Sequence, residues 1–477
     1  MVIAMRRTSI VATLGPSSSD PQMIEKLIRA GVNVARLNYS HGTHEEHHQR
    51  LKHVRAASAK LAIAVACLQD LSGPKIRTGE LSRPEGVVLK DGATFILTTD
   101  EVAGDETRVT STYTFLPRDV REGERILLDD GLIELKVELI RGKDVVTRVV
   151  HGGLLKPHKG INLPGTVLSV AALTAKDRDD AEHGLEIGVD FMALSFVRKA
   201  EDVLELKEFL AQRNRSDMRV IAKIEKPEAL DNLSAILDVT DGVMVARGDL
   251  GVELPAEEVP MFQKKIIFEA YRRGRPVITA TQMLDSMIHN PRPTRAEASD
   301  IANAILDGSD AVMLSGETAA GKYPEESVAT MARIASYTES KHTRIPWQWP
   351  KGSSLLDRHS VSRAVAKAAC HAAEELDAKY VITFTESGAT ARLVSHFRPN
   401  RPILAFTPDD EVYRQLALPW GITPIRCRHY EQLDHMLDDG FDVLKKRQLV
   451  STGDIAVVIF GSTLISGATN VMKVHTF

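Results

Sequence analysis

Two short apolar runs in this chain end abruptly in charge. Val220-Ile221-Ala222-Lys223-Ile224-Glu225 places a lysine and a glutamate two residues apart. Val243-Met244-Val245-Ala246-Arg247-Gly248-Asp249 delivers an aspartate just past its apolar stretch. Side chains alternate along a strand, so Lys223 and Glu225 can project from one face. Two carboxylates and an ammonium from neighbouring strand ends form a hard-cation site with a cationic partner. That is equipment for moving a phosphoryl group or stabilising an enolate. Taken singly, each run also reads as a buried parallel strand with ordinary loop charges.

The elements around these runs narrow the choice. Eight apolar runs, at 9–14, 32–38, 62–70, 190–196, 219–225, 242–247, 276–281 and 311–315, predict strands buried on both faces. Helical patterns at 21–30, 43–59, 200–213, 259–273 and 294–306 alternate with them, with starts marked by Asp20-Pro21 and Pro293-Thr294. Eight such units close as a (β/α)8 TIM barrel, whose chemistry sits at the C-terminal strand ends. Those ends carry Arg36, Asn38 and Ser40, then Asp70, Ser195, Lys223 with Glu225, Asp249, Thr281, and Ser315 with Glu317.

About 120 residues separate the third run from the fourth, and there the pattern changes. Short alternating strands with Asp91-Gly92, Asp130-Gly131 and Gly142-Lys143 turns predict a small β-barrel inserted over the barrel mouth as a lid. After it the barrel resumes. The expected division is therefore 1–71 and 165–340 for the barrel, 72–164 for the lid, 341–356 for a linker, and 357–477 for a C-terminal open α/β domain. In that last domain Thr385-Glu386-Ser387-Gly388-Ala389-Thr390 joins a strand (380–384) to a helix (390–397). Such a loop is a ready anion site, although Ser and Thr there also serve as plain caps.

Composition excludes other classes. A content of 43% hydrophobic and 26% charged residues is that of a soluble globular chain, and a net charge of −4 offers nucleic acid or a membrane surface no attraction. Cys67, Cys370 and Cys427 are far apart, which suits a reducing cytoplasm. Gly15-Pro16 ends the run after Arg6-Arg7 too early for an export signal, and no segment is long and apolar enough to span a bilayer. His44-Glu45-Glu46-His47-His48 matches H-E-x-x-H, but its polar neighbours predict a solvated helix face. Gly316 to Lys322 nearly spells a P-loop, yet Tyr323 stands where an aliphatic hydroxyl must reach Mg²⁺.

These residues carry a resemblance. The segment 10–16, Ala35-Arg36-Leu37-Asn38-Tyr39-Ser40-His41-Gly42, Gly73-Pro74-Lys75-Ile76-Arg77-Thr78-Gly79, the two opening runs, Ala280-Thr281-Gln282-Met283-Leu284-Asp285-Ser286-Met287, the segment 291–297 and Met313-Leu314-Ser315-Gly316-Glu317-Thr318 resemble, in order, the blocks of pyruvate kinases. The resemblance runs over nearly the whole chain. It implies phosphoryl transfer from phosphoenolpyruvate to ADP, giving ATP and pyruvate, in a cytoplasmic homotetramer with no nucleic-acid or membrane partner.

By resemblance, Glu225 and Asp249 hold Mg²⁺ or Mn²⁺, a metal that keeps several waters and needs few protein carboxylates. Lys223 neutralises the phosphoryl group in flight, Arg36 clamps it, and Thr281 relays the proton to the enolate carbon. Ala246, Arg247 and Gly248, with Asp249, cradle the substrate carboxylate. Asn38, His41, Arg77 and Lys159 lie on the nucleotide side.

Two departures modify these expectations. Asn38, Ser40 and Asp70 match the family's monovalent-cation site, but Leu71 replaces Thr, and Lys75 replaces a Glu found in members that need K⁺. A fixed ammonium can supply that charge, so K⁺ is not expected to be required. Glu386 stands where a basic residue favours a bisphosphate, so the expected effector at 385–390 is a sugar monophosphate or AMP. The other readings are a metal-dependent phosphoenolpyruvate or pyruvate lyase or mutase, told apart by ADP dependence, and a catalytically inactive metabolite sensor.

Overall fold

The computed structural model describes residues 6–341, 360–461 and 469–477. Eight parallel strands close a barrel in chain order: β1 (Ser9–Thr13), β2 (Val34–Asn38), β3 (Ala66–Asp70), β4 (Phe191–Leu194), β5 (Arg219–Ile224), β6 (Gly242–Ala246), β7 (Val277–Ala280) and β8 (Ala311–Leu314). β1 pairs with both β2 and β8, so no edge remains open. Alternation divides each strand between two apolar clusters. Val11, Val34, Leu68, Ile221, Met244 and Ile278 share one, while their neighbours in sequence pack with the surrounding helices. Thr13, Arg36, Asp70, Ser195 and Lys223 continue the first series by steps of two, so they form its polar top layer.

The helices begin where local chemistry dictates. Asp20 caps Pro21–Ala30 by accepting from the N–H groups of Gln22 and Met23. Thr43 with Glu46, Thr174 with Asp177, and Thr294 with Glu297 form capping boxes for His44–Leu61, Ala175–Ile187 and Arg295–Leu306. One strand end differs from expectation. Arg247 does not extend β6 but opens the helix Arg247–Glu253, which puts Asp249 in a first helical turn.

Between β3 and β4 lie a six-stranded sheet and a two-stranded ribbon around their own core of Phe95, Leu97, Leu116, Ile126, Leu128 and Leu135. The turn after Arg125–Leu128 has positive φ at Asp129, Asp130 and Gly131, as its Asp-Gly signal predicts.

The C-terminal sheet comprises β9 (Tyr380–Phe384), β10 (Ile403–Thr407), β11 (Ile422–Arg426), β12 (Ile455–Gly461) and β13 (Thr469–Thr476), in the order β11-β10-β9-β12-β13. Only β13 runs antiparallel. β11 and β13 are edge strands without a continuous apolar run, and Pro424 is tolerated in β11 because an edge has a free side. All of the expected linker beyond Lys341 lies outside the described residues. Among the described residues no helix is long and apolar enough to cross a membrane.

Candidate active site

Lys223 organises the polar top layer. Its Nζ lies 2.8 Å from Glu225 Oε1 and 3.3 Å from Asp70 Oδ1, and donates to Ser195 Oγ at 2.8 Å. Its side chain is only 11% exposed. Burial alone would depress this ammonium, but Asp70 and Glu225 outweigh it and hold the pKa above the usual lysine range. Burial lifts the Glu225 carboxyl; Lys223 opposes that rise and Asp249 adds to it. Burial would raise Asp70 too, yet Lys223 and Arg36 keep it low. Arg36 donates from Nε to Asp70 Oδ2 at 2.7 Å and from Nη1 to Thr13 Oγ1 at 2.9 Å. Thr13 passes the bond on to Leu314 O.

Thr281 sits just past β7 with φ 69°, a rare conformation for a β-branched residue. Three contacts hold it there. The Gly248 N–H donates to Thr281 Oγ1 at 2.7 Å, the hydroxyl donates to Ala280 O at 2.6 Å, and Arg247 Nη2 donates to Thr281 O at 2.7 Å. Arg247 is anchored by Asp300 at 2.7 Å. Its guanidinium therefore braces the loop after β7, while the backbone of Ala246 and Gly248 borders the site.

A cleft of about 250 Å³ opens beside this layer, between lid and barrel. Lys75, Arg77, Asp129, Lys159, Lys226 and Asp249 are among its lining residues. Lys159 Nζ pairs with Asp129 Oδ1 at 2.8 Å, and Arg77 donates to His158 O at 3.1 Å. His41 is exposed in the same cationic field; partial desolvation, Lys75, Arg77 and Arg36 push its pKa down. Partial desolvation, Lys223 and Arg77 also lower the pKa of the exposed Lys75, against the pull of Asp70 and Asp249. Gly73 (φ 62°) lets this segment cross the Ser195–Phe196 turn: a Cβ there would meet Phe196 Cδ2 at 2.7 Å.

Three of the expected monovalent-cation residues already accept a hydrogen bond or pair with a cationic side chain. Asn38 Oδ1 accepts from Ser40 N at 3.2 Å, Leu71 O accepts from Ser195 Oγ at 2.7 Å, and Asp70 is shared by Arg36 and Lys223. For a divalent ion, Glu225 and Asp249 offer an all-oxygen pair, the donor set that hard cations take. The upward push of Asp249 on Glu225 is repulsion that such a charge would relieve.

The residues at 385–390 lie apart, at the C-terminal end of β9. Gly388 (φ 75°) starts the helix Ala389–His396, and no side chain caps that start. Glu386 is exposed, Thr385 and Thr390 are buried, and Thr390 Oγ1 bonds Thr469 Oγ1 at 2.6 Å.

Sequence reasoning missed Thr13 as the partner of Arg36 and did not single out Lys226, which meets Glu253 in a buried ion pair. Thr13 could have been found as the end residue of the first strand. It also misjudged the H-E-x-x-H helix. His47 and Arg50 are buried, and His47 stacks on Tyr39 at 4.1 Å and bonds His41 O. His44, Asp179 and Asp180 lie close enough to share an ion, but His44 and Lys176 already pair with Asp180 at 2.8 and 2.5 Å.

Comparison with known proteins agrees with this geometry. A family model described as pyruvate kinase, barrel domain, matches residues 5–328, and one described as pyruvate kinase, alpha/beta domain, matches 363–475. Pyruvate kinases of Bacillus licheniformis and Geobacillus stearothermophilus are 47% and 46% identical to this chain over 475 residues, covering 99% and 98% of it and 80% of their own length. That of Clostridium perfringens is 43% identical over 479 residues, covering 99% of this chain and all of its own. With a closed eight-stranded barrel, a domain inserted after its third strand and a C-terminal α/β domain, this chain belongs to the pyruvate kinase family and is a phosphotransferase.

Proposed function

We propose that this enzyme transfers the phosphoryl group of phosphoenolpyruvate to ADP and then protonates the enolate to pyruvate. The observation that carries this reading is Lys223: a buried ammonium, kept charged by Asp70 and Glu225, at the edge of a basic cleft. Arg36, fixed by Asp70 and Thr13, offers its remaining donors to phosphoryl oxygens, and Lys223 compensates charge as the group moves. Glu225 and Asp249 hold Mg²⁺ or Mn²⁺, which when bound supplies Lewis-acid charge to the phosphoryl and enolate oxygens. Ala246, Arg247 and Gly248 frame the substrate carboxylate. Thr281 Oγ1 relays the proton, its hydroxyl being too weak an acid to originate it. His41, Arg77, Lys159 and Asn38 face the nucleotide, with Lys159 supplied by the lid.

K⁺ is dispensable in this reading, because the ammonium of Lys75 stands in a field shared with Asp70 and Asp249 and can supply the charge that K⁺ would supply. The loop 385–390 binds one phosphate of a sugar monophosphate or AMP at the uncapped start of Ala389–His396, while Glu386 repels a second. We retain 1–71, 72–164, 165–340, 341–356 and 357–477 as working boundaries, and a cytoplasmic homotetramer as the working assembly. The test is pyruvate formation from phosphoenolpyruvate with Mg²⁺, with and without ADP. Strict dependence on ADP with stoichiometric ATP is expected; pyruvate formed without ADP would replace this reading with a lyase.

A further inference from the structure

Lys226 follows Glu225 directly, and Glu253 lies four residues beyond Asp249 in the helix Arg247–Glu253. The two meet at 2.5 Å, with side chains 7% and 1% exposed. The lid reaches the same carboxylate: Asn162, in the strand Ile161–Asn162, donates from Nδ2 to Glu253 Oε1 at 3.2 Å. A second lid contact lies on this helix, where Gly131 approaches Val252. Glu253 Oε2 is buried with no hydrogen-bond partner, so the carboxylate is held through one oxygen only.

This arrangement sorts charge around Glu225, which is buried, and Asp249, which lines the cleft. Glu225 is flanked by two lysines. Lys223 pairs with Glu225 itself, while Lys226 is drawn aside to Glu253. Lys226 and Asp249 line the same cleft, so a Lys226 released from Glu253 stays in a lining that contains Asp249. An ammonium on Asp249 would act as an internal competitor for a divalent cation. Residues four apart share one helix face, so movement of Glu253 is passed to Asp249 through a single rigid turn.

We propose that Asn162, Glu253 and Lys226 are positioning residues: Glu253 sequesters Lys226 from Asp249 and registers the lid, through Asn162, on the helix that carries Asp249. The inference rests on Glu225 and Asp249 being the divalent-ion ligands. Residues that orient metal ligands typically contribute about 10–100-fold in affinity. The test is direct Mn²⁺ binding to the full-length protein, read as free Mn²⁺ by electron paramagnetic resonance, with folding checked by thermal melting. Wild type should bind Mn²⁺, and E225Q should lose it; if E225Q binds normally, the ligand reading fails and this inference with it. Given that control, E253Q should bind about tenfold more weakly. K226M/E253Q, which removes both charges together, should recover most of the loss. E253Q binding as tightly as wild type, or a double variant no better than E253Q, would overturn the proposal while leaving the ligand reading intact. If E253Q does not fold, the folded K226M/E253Q decides: affinity near wild type supports the proposal, and affinity tenfold weaker overturns it. N162A should leave Mn²⁺ affinity without nucleotide near wild type but raise the KM for ADP at unchanged kcat, and an unchanged KM would overturn the lid connection.

Discussion

At the residue scale the site depends on balanced burial. Lys223 is useful because Asp70 and Glu225 keep it charged where water is scarce, and a preorganised charge there needs no reorganisation during reaction. K223M should lower kcat by about 10²–10³ with little change in KM, measured by steady-state kinetics; an equal loss in KM alone would assign Lys223 to ground-state binding. Lys75 gives a pH signature. Its folded-state pKa is depressed, so as pH rises the ammonium is lost before an ordinary lysine would lose it. Activity in K⁺-free buffer should therefore decline on the alkaline side, and added K⁺ should restore it there. A K⁺-free alkaline limb that superimposes on the K⁺-saturated one would contradict this role. The charged pair Lys223 and Glu225 was legible in the sequence because strand alternation places i and i+2 on one face. The strain at Thr281 was not legible, because φ 69° is imposed by Gly248 and Arg247 from a neighbouring strand end.

Among the elements, the point where the chain leaves the barrel for the lid is braced from outside. Asp177, at the start of Ala175–Ile187, is fully buried. It accepts from Ser72 Oγ, from the Gly73 N–H, and from the N–H and hydroxyl of Thr174. One carboxylate thus caps a helix and ties down the chain where it enters the lid. D177N keeps the shape but turns an amide NH2 donor toward groups that are themselves donors, a cost of about 1–3 kcal/mol for buried groups left unsatisfied. A lower Tm and urea midpoint are expected, and unchanged values would remove this brace. The strands were readable as continuous apolar runs because both faces of a barrel strand are covered. The start of the helix Arg247–Glu253 was not, since Arg247-Gly248-Asp249 carries no cap and its conformation is set by the loop after β7.

Across the whole molecule, the C-terminal domain grips the end of the barrel opposite the chemistry. Asp190, fully buried just before β4, pairs with Arg414 at 2.7 Å and Arg55 at 2.8 Å, and Arg215 meets Glu411 at 2.9 Å. The Arg414–Asp190 and Arg215–Glu411 pairs could not be matched from sequence, because each joins elements brought together only by docking of the two domains. R414M leaves Arg55 on Asp190, so basal activity should persist while activation by a phosphomonoester weakens in an effector titration; full activation would show that coupling bypasses this contact. E386K should confer a response to fructose 1,6-bisphosphate, and an unresponsive variant would remove Glu386 as the selectivity element. The central claim joins both ends of the account: a pyruvate kinase that carries its own monovalent charge. Its most direct test is pyruvate formation from phosphoenolpyruvate, ADP and Mg²⁺ with K⁺ replaced by Na⁺, for wild type and K75E. Robust turnover by wild type, and turnover by K75E only after K⁺ is added, is the predicted result; wild type silent until K⁺ is supplied would contradict it.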